Sequence, residues 1–194
     1  MEFLAGPTGA ALSVETSDRP VRDAIVAVAL HWVVAGLMIF MLFFGGDLMN
    51  RRQPDTFNSS LHASIGAAIL LLSLARLLWR LRTLPPPLPS TMKPWEIYLS
   101  KLTHVLFYVM MIGLPLTGWL AFSDMMVKHP AFLGTRFFGL IDVIQFPGVV
   151  GYHFDGLHSL GSNLMIGLTG LHVLAALKHQ FINNDGLLRR MIPF

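Results

Sequence analysis

Four uninterrupted apolar runs stand out along the chain: Ala24 to Phe44, Leu61 to Leu81, Leu102 to Phe122 and Leu157 to Leu177. Each has about 20 residues, the length a helix needs to cross roughly 30 Å of hydrocarbon. In lipid, backbone polar groups are satisfied only within helices or closed barrels, and these runs lack the short-segment alternation of barrel strands. The pattern predicts an all-α fold, a four-transmembrane-helix bundle forming a single integral-membrane domain over residues 1–194. Between the second and third runs, Leu84-Pro85-Pro86-Pro87-Leu88-Pro89 reads as a stiff extended linker. Between the third and fourth, Ser123 to Gly156 reads as a longer loop holding six aromatic residues. The first 23 residues carry Glu15, Asp18 and Asp23 without an apolar stretch ending in a cleavage site, so no signal peptide is expected.

Composition agrees with a membrane protein: 54% hydrophobic residues, 13% charged and a mean hydropathy of +0.59 lie outside the range of soluble domains. The formal charge is only +3 and its basic residues are not gathered on one face, so nucleic acid is not an expected partner. Their placement is more informative. Nine Lys and Arg (Arg19, Arg22, Arg80, Arg82, Lys93, Lys101, Lys178, Arg189 and Arg190) flank the ends that share a side with the termini, against four (Arg51, Arg52, Lys128 and Arg136) on the other side. Positive charge stays inside, which predicts cytoplasmic termini and outer loops around Asn50 and His129. With no cysteine, thiolate metal sites, iron–sulfur clusters and covalent c-type haem are excluded.

Five of the eight histidines, His31, His62, His104, His158 and His172, sit inside the runs, where an ionisable group is costly and a functional candidate by default. A single such histidine serves as well to hydrogen-bond between helices; the arrangement points further. On an ideal helix His158 and His172 are about 40° apart in rotation and roughly 21 Å apart along the axis, on one face but in opposite leaflets. His31 matches the depth of His172 and His62 that of His158. Two stacked His–His pairs are what two bis-histidine b-type haems require. Small residues one turn from each candidate ligand (Ala35, Gly66, Gly161, and Ala175 with Ala176) leave room for a flat ring, whereas His104 has Phe107 and Tyr108. Arg76, on the face of His62 and at the depth of the inner pair, reads either as a haem-propionate partner or as a snorkelling side chain. His129, His153 and His179 read as solvated or interfacial.

The segments His31-Trp32, Leu61-His62-Ala63-Ser64-Ile65-Gly66 with Ala75-Arg76-Leu77-Leu78-Trp79-Arg80, His104-Val105-Leu106-Phe107-Tyr108 with Pro115-Leu116-Thr117-Gly118-Trp119, and Gly170-Leu171-His172 through Pro193 resemble the bacterial cytochrome b561 family from about Arg22 to Pro193. The resemblance implies a dihaem cytochrome of the bacterial inner membrane that exchanges electrons with ubiquinone, with superoxide:ubiquinone oxidoreductase as the best-characterised kind. It implies His31 and His172 as axial ligands of the inner haem, His62 and His158 as those of the outer haem, and a place for His104 near a haem edge or propionate. Lys128, Arg136 and His153 in the outer loop are candidates for attracting superoxide or a periplasmic redox partner.

Two other functions compete. A membrane-anchor subunit relaying electrons for a dehydrogenase or hydrogenase would resemble the same family, and short tails argue against it. A histidine-lined channel would need carboxylates inside the runs, which have none. Neither the oligomeric state nor the quinone type is written in the sequence.

Overall fold

The computed structural model describes residues 19–50, 52, 55–83, 92–149 and 151–192, with side chains from residue 24 onward. Four helices carry it: α1 (Arg19–Leu48), α2 (Thr56–Arg82), α3 (Pro94–Lys128) and α4 (Phe154–Lys178), all long and apolar enough to span a membrane. A two-stranded hairpin, β1 (Arg136–Phe137) with β2 (Ile141–Asp142), sits in the α3–α4 connection. The chain ends in one π-helical turn (His179–Asn183) and a short 3₁₀ segment (Leu188–Met191). The proline-rich linker Leu84–Pro89 and the N-terminal stretch lie outside the described residues.

Every helix outruns its apolar run, because capping chemistry rather than hydropathy sets the ends. At α2, Asp55 accepts from the Phe57 and Asn58 backbone N–H groups, both at 3.2 Å, and so starts the helix before Leu61. At α3, Pro94 stands at the first position and Glu96 reaches back to the Lys93 N–H at 2.9 Å, which starts the helix eight residues before Leu102. Since α3 continues to Lys128 and α4 begins at Phe154, the expected 123–156 loop contracts to residues 129–153.

Alternation of direction puts the start of α1, the end of α2, the start of α3 and the end of α4 at one end, here the terminal face, and the 129–153 loop at the other, the loop face. Helix α1 packs along α2 and α3 along α4, with α2 against α3, whereas α1 and α4 barely touch. Between the two faces lies an apolar layer of Val34, Met38, Ile69, Met111, Leu114 and Met165, with Met165 fully buried. Most other large apolar side chains point outward, the sidedness of a helix bundle solvated by lipid.

A second apolar cluster, Phe122, Met125, Met126, Phe132 and Val143, holds the loop onto the end of α3. Polar side chains then fix it. Ser123 Oγ accepts from the Phe146 N–H at 3.0 Å and Asp124 from the Gly151 N–H at 3.0 Å. Trp119 Nε1 donates to the Ile144 carbonyl at 2.9 Å while its ring meets Phe137 and Phe146 edge-on. From α2, the fully buried hydroxyls of Ser59 and Thr135 lie 2.7 Å apart. Replacing Ser59 with Ala removes that partner while Thr135 keeps its bond to the Phe132 carbonyl, at an expected cost of about 0.5–1.5 kcal/mol. The readout is a lower melting temperature in detergent together with faster protease cleavage within residues 129–153.

Candidate functional site

The fold brings the intramembrane histidines together at both ends of α4. At the loop face, His62 on α2 faces His158 on α4 with ring centroids 6.1 Å apart. Each ring is held by its Nδ1. His62 Nδ1 lies 3.1 Å from the Gly45 carbonyl and His158 Nδ1 lies 2.9 Å from the Leu114 carbonyl. A carbonyl only accepts, so in the neutral ring Nδ1 carries the hydrogen and Nε2 keeps its lone pair, the arrangement of a metal-binding imidazole. Gly45 is free to accept because α1 tightens at its end. The Met49 N–H goes to Gly46 at 3.3 Å, leaving a last-turn carbonyl without its helical partner.

At the terminal face, His172 on α4 lies 6.4 Å from His31 on α1 and 6.1 Å from His104 on α3, ring centroid to ring centroid. Phe107 meets His172 edge-on at 5.1 Å. The apolar pattern puts His104 at the edge of its span, but α3 begins at Pro94 and His104 is as close to His172 as His31 is. Its Nδ1 is engaged by the Ser100 carbonyl one turn back, at 2.7 Å. His31 Nδ1 is buried without a partner among the described residues, and so are Ser73 Oγ and Thr169 Oγ1, one turn from Arg76 and His172 respectively. Arg76 acts electrostatically on His31, His104 and His172, which places it in this cluster. No carboxylate pairs with it among the described residues.

Tight contacts explain two glycines. A Cβ at Gly118 on α3 would stand 2.9 Å from His158 Cε1, so only glycine lets that ring lie against α3. This contact was missed in the sequence, where Gly118 appears merely as one letter of a motif. Gly161, expected to leave room for a ring, is instead filled by Leu114, whose Cδ2 would be 2.8 Å from an added Cβ. Gly66 has nothing within 4 Å of its Cβ position.

Three polar readings need correction. His179 is buried rather than solvated, 8% exposed, because the π turn and the left-handed Asn184 fold Asp185 back onto its Nδ1. Lys128 and Arg136 are each paired, with Asp124 at 2.6 Å and Asp142 at 2.7 Å, so neither offers a free charge to an approaching anion. His153 is exposed as expected.

Burial raises the Asp185 carboxyl, but the His179 hydrogen bond and the Leu187 N–H outweigh it and hold it below the ordinary carboxylate range. A depressed carboxylate stabilises the fold above its unfolded value of about 4 and loses that contribution as pH falls through the folded value. Asp185→Asn is therefore expected to flatten the acid limb of the melting-temperature profile below about pH 4, measured by circular dichroism.

Sequence comparison shows the family of the chain. A profile described as prokaryotic cytochrome b561 matches residues 22–194. The chain belongs to that family. Similar relatives include a probable superoxide oxidase CybB of Yersinia pestis, 27% identical over 185 residues (89% of this chain, 96% of the relative). A cytochrome b561 homolog 2 of Escherichia coli (strain K12) is 27% identical over 183 residues (91% and 94%). A cytochrome b562 of Cereibacter sphaeroides is 27% identical over 175 residues (85% and 91%). This cytochrome b561 is thus a b-type electron-transfer protein, and with four spans it is a multi-pass protein of the bacterial inner membrane.

The residues fit the b-type haem that the family implies. An imidazole–metal bond of about 2 Å, with about 1.1 Å from ring nitrogen to ring centre, separates two axial rings by about 6 Å across one iron. The cytochrome's 6.1 and 6.4 Å separations agree with that figure. His104 to His172 would satisfy it too, but α3 is packed closely along α4, and the loose seam between α1 and α4 is where a flat ring has room. Among the described residues, His31 Nδ1 on α1 and Thr169 Oγ1 on α4 are buried without hydrogen-bond partners, on the two helices that flank that seam.

Proposed function

We propose that this cytochrome is an oxidoreductase carrying two b haems and exchanging electrons with the ubiquinone pool, with superoxide as its donor. The observation that supports the reading is the placement of two histidine pairs at opposite ends of one helix, each at the separation of an axial pair. In this reading His31 and His172 hold one haem and His62 and His158 the other. Iron held by two imidazoles has no open coordination position, so the group supplies one-electron transfer rather than oxygen binding.

The chain's own residues hold the geometry. The Gly45 and Leu114 carbonyls fix the ring tautomers and orientations of His62 and His158. Arg76 would present its forked donors to a propionate of the terminal-face haem. His104, whose Nδ1–H is taken by the Ser100 carbonyl, would stand at the edge of that haem, beside His172. The aromatic loop packs on the loop-face ends of α2 and α3, beside the His62–His158 pair.

The positive-inside count supports a cytoplasmic terminal face and a periplasmic loop. Superoxide is proposed on the name of the Yersinia pestis relative, because the paired Lys128 and Arg136 supply no attracting charge of their own.

The test is spectral, then catalytic. Purified protein is expected to show reduced low-spin b-haem bands with two haems per chain, and proteoliposomes are expected to reduce ubiquinone when superoxide is generated outside. One haem per chain overturns the two-site reading. A dihaem protein that reduces quinone only with a partner dehydrogenase present overturns the donor. Reporter fusions at Pro87 and after Pro193 are expected to report cytoplasm and one at Lys128 periplasm; a periplasmic C-terminus overturns the orientation.

A further inference from the structure

The hairpin at the loop face descends along α2 instead of projecting away from the bundle. Its attachments advance in step with the helix: Thr135 Oγ1 meets Ser59 Oγ at 2.7 Å, the Arg136 N–H donates to Ser60 Oγ at 3.0 Å and the Phe138 N–H to Ser64 Oγ at 2.7 Å. From Ser59 to Ser64 the helix falls by about 7.5 Å, and Ser64 lies within the apolar run beginning at Leu61. The turn is thereby carried below the level at which α2 becomes lipid-facing.

Its chemistry changes at the same level. Arg136 and Asp142 are register partners at the base of the hairpin and pair at 2.7 Å. Every residue between them, Phe137-Phe138-Gly139-Leu140-Ile141, is uncharged. Phe137 turns inward onto Trp119, whereas Phe138, Leu140 and Ile141 are 55%, 81% and 62% exposed. The turn does not ask for these side chains. Phe138 and Gly139 both have positive φ, 53° and 70°, and Leu140 N–H closes onto the Phe137 carbonyl at 2.9 Å, a mirror-image turn whose first central position favours Asn, Asp or Gly. A phenyl group at that position is therefore not selected by the turn geometry.

We propose that this hairpin is seated in the lipid leaflet of the loop face, its apolar tip at the boundary of headgroups and acyl chains and its Arg136–Asp142 collar at the water level. The occupant is lipid because the tip lies against the first turns of α2, and the loop-face ends of α1 and α2 carry Phe43, Phe44 and Phe57 exposed. Beneath it, against Phe137, lies Trp119, a residue type enriched at membrane interfaces. Trp119 adjoins Gly118, against which His158 lies. The seat therefore fixes the lipid-side wall of the His62–His158 end. The inference rests on the four-span architecture and is independent of the quinone and superoxide assignments.

The chain has no cysteine, so single cysteines introduced for Phe138, Leu140 and Ile141 can carry a nitroxide label in proteoliposomes of phosphatidylethanolamine and phosphatidylglycerol, with Lys128→Cys as the exposed reference. Haem absorbance checks that each labelled protein is folded. Should Phe138→Cys fail to fold, Leu140→Cys and Ile141→Cys carry the test. At the tip, collision with a water-soluble nickel chelate is expected to be about tenfold less than at residue 128, while collision with oxygen is higher, the signature of an acyl-boundary position. Nickel collision equal to that at residue 128 overturns the proposal by placing the tip in water. Exclusion of both reagents overturns it by showing protein cover, from a partner or a second copy.

Discussion

A His158→Ala protein is expected to lose the loop-face haem and keep the other, and a His172→Ala protein the reverse, because the two histidines stand about 21 Å apart on one helix and face different partners. Haem content by pyridine haemochromogen should fall from two per chain to one in each variant. The surviving low-spin signal should differ between them by electron paramagnetic resonance. Loss of both haems in each folded variant would count against separate sites. His104→Ala decides the remaining ambiguity: it is expected to leave two low-spin haems per chain and shift only the potential of the terminal-face haem. A five-coordinate, high-spin spectrum in that variant would make His104 the ligand and remove His31 from that role.

The second large effect is expected from a single methyl group. Gly118→Ala places a Cβ 2.9 Å from His158 Cε1 and 3.0 Å from its Nδ1, and the same ring is tied to the Leu114 carbonyl one turn away. The ring has to move or the helices have to part, at a cost of about 1–3 kcal/mol. Because His158 is displaced, the change should also broaden or shift the loop-face haem spectrum. Gly113→Ala on the same helix meets nothing within 4 Å, and alanine is the better helix former by about 1 kcal/mol, so that variant should be neutral or stabilising. Equal melting temperatures for the two would contradict the close approach at Gly118.

What could be read in the sequence was whatever depends on long-range periodicity. Twenty-residue hydropathy marks the spans, and helical spacing alone pairs His158 with one depth and His172 with another. Helix ends escaped because Asp55, Pro94 and Glu96 act by capping, which hydropathy does not see. The burial of His179 escaped because it depends on a π turn and on Asp185 returning to meet it. Lys128 and Arg136 read as free charges because their partners, Asp124 and Asp142, are brought to them only by the folded helix and hairpin. At Gly118 and Gly161 the same residue type serves two contacts, one against a histidine and one against Leu114, and no sequence pattern separates them.

The apolar layer of Val34, Ile69, Met111 and Met165 bears on bioenergetics. Its buried side chains among the described residues hold no titratable group, and Tyr108, which packs against them, keeps its hydroxyl proton at neutral pH, so an electron moved between the two ends of α4 has no proton carried beside it. On the proposed reading such an electron crosses about 21 Å of a hydrocarbon layer about 30 Å thick, roughly seven-tenths of the membrane field. At 100 mV that displacement is worth about 1.6 kcal/mol. The transfer would be electrogenic, and energising the membrane would shift the redox balance between the two histidine pairs without altering either site.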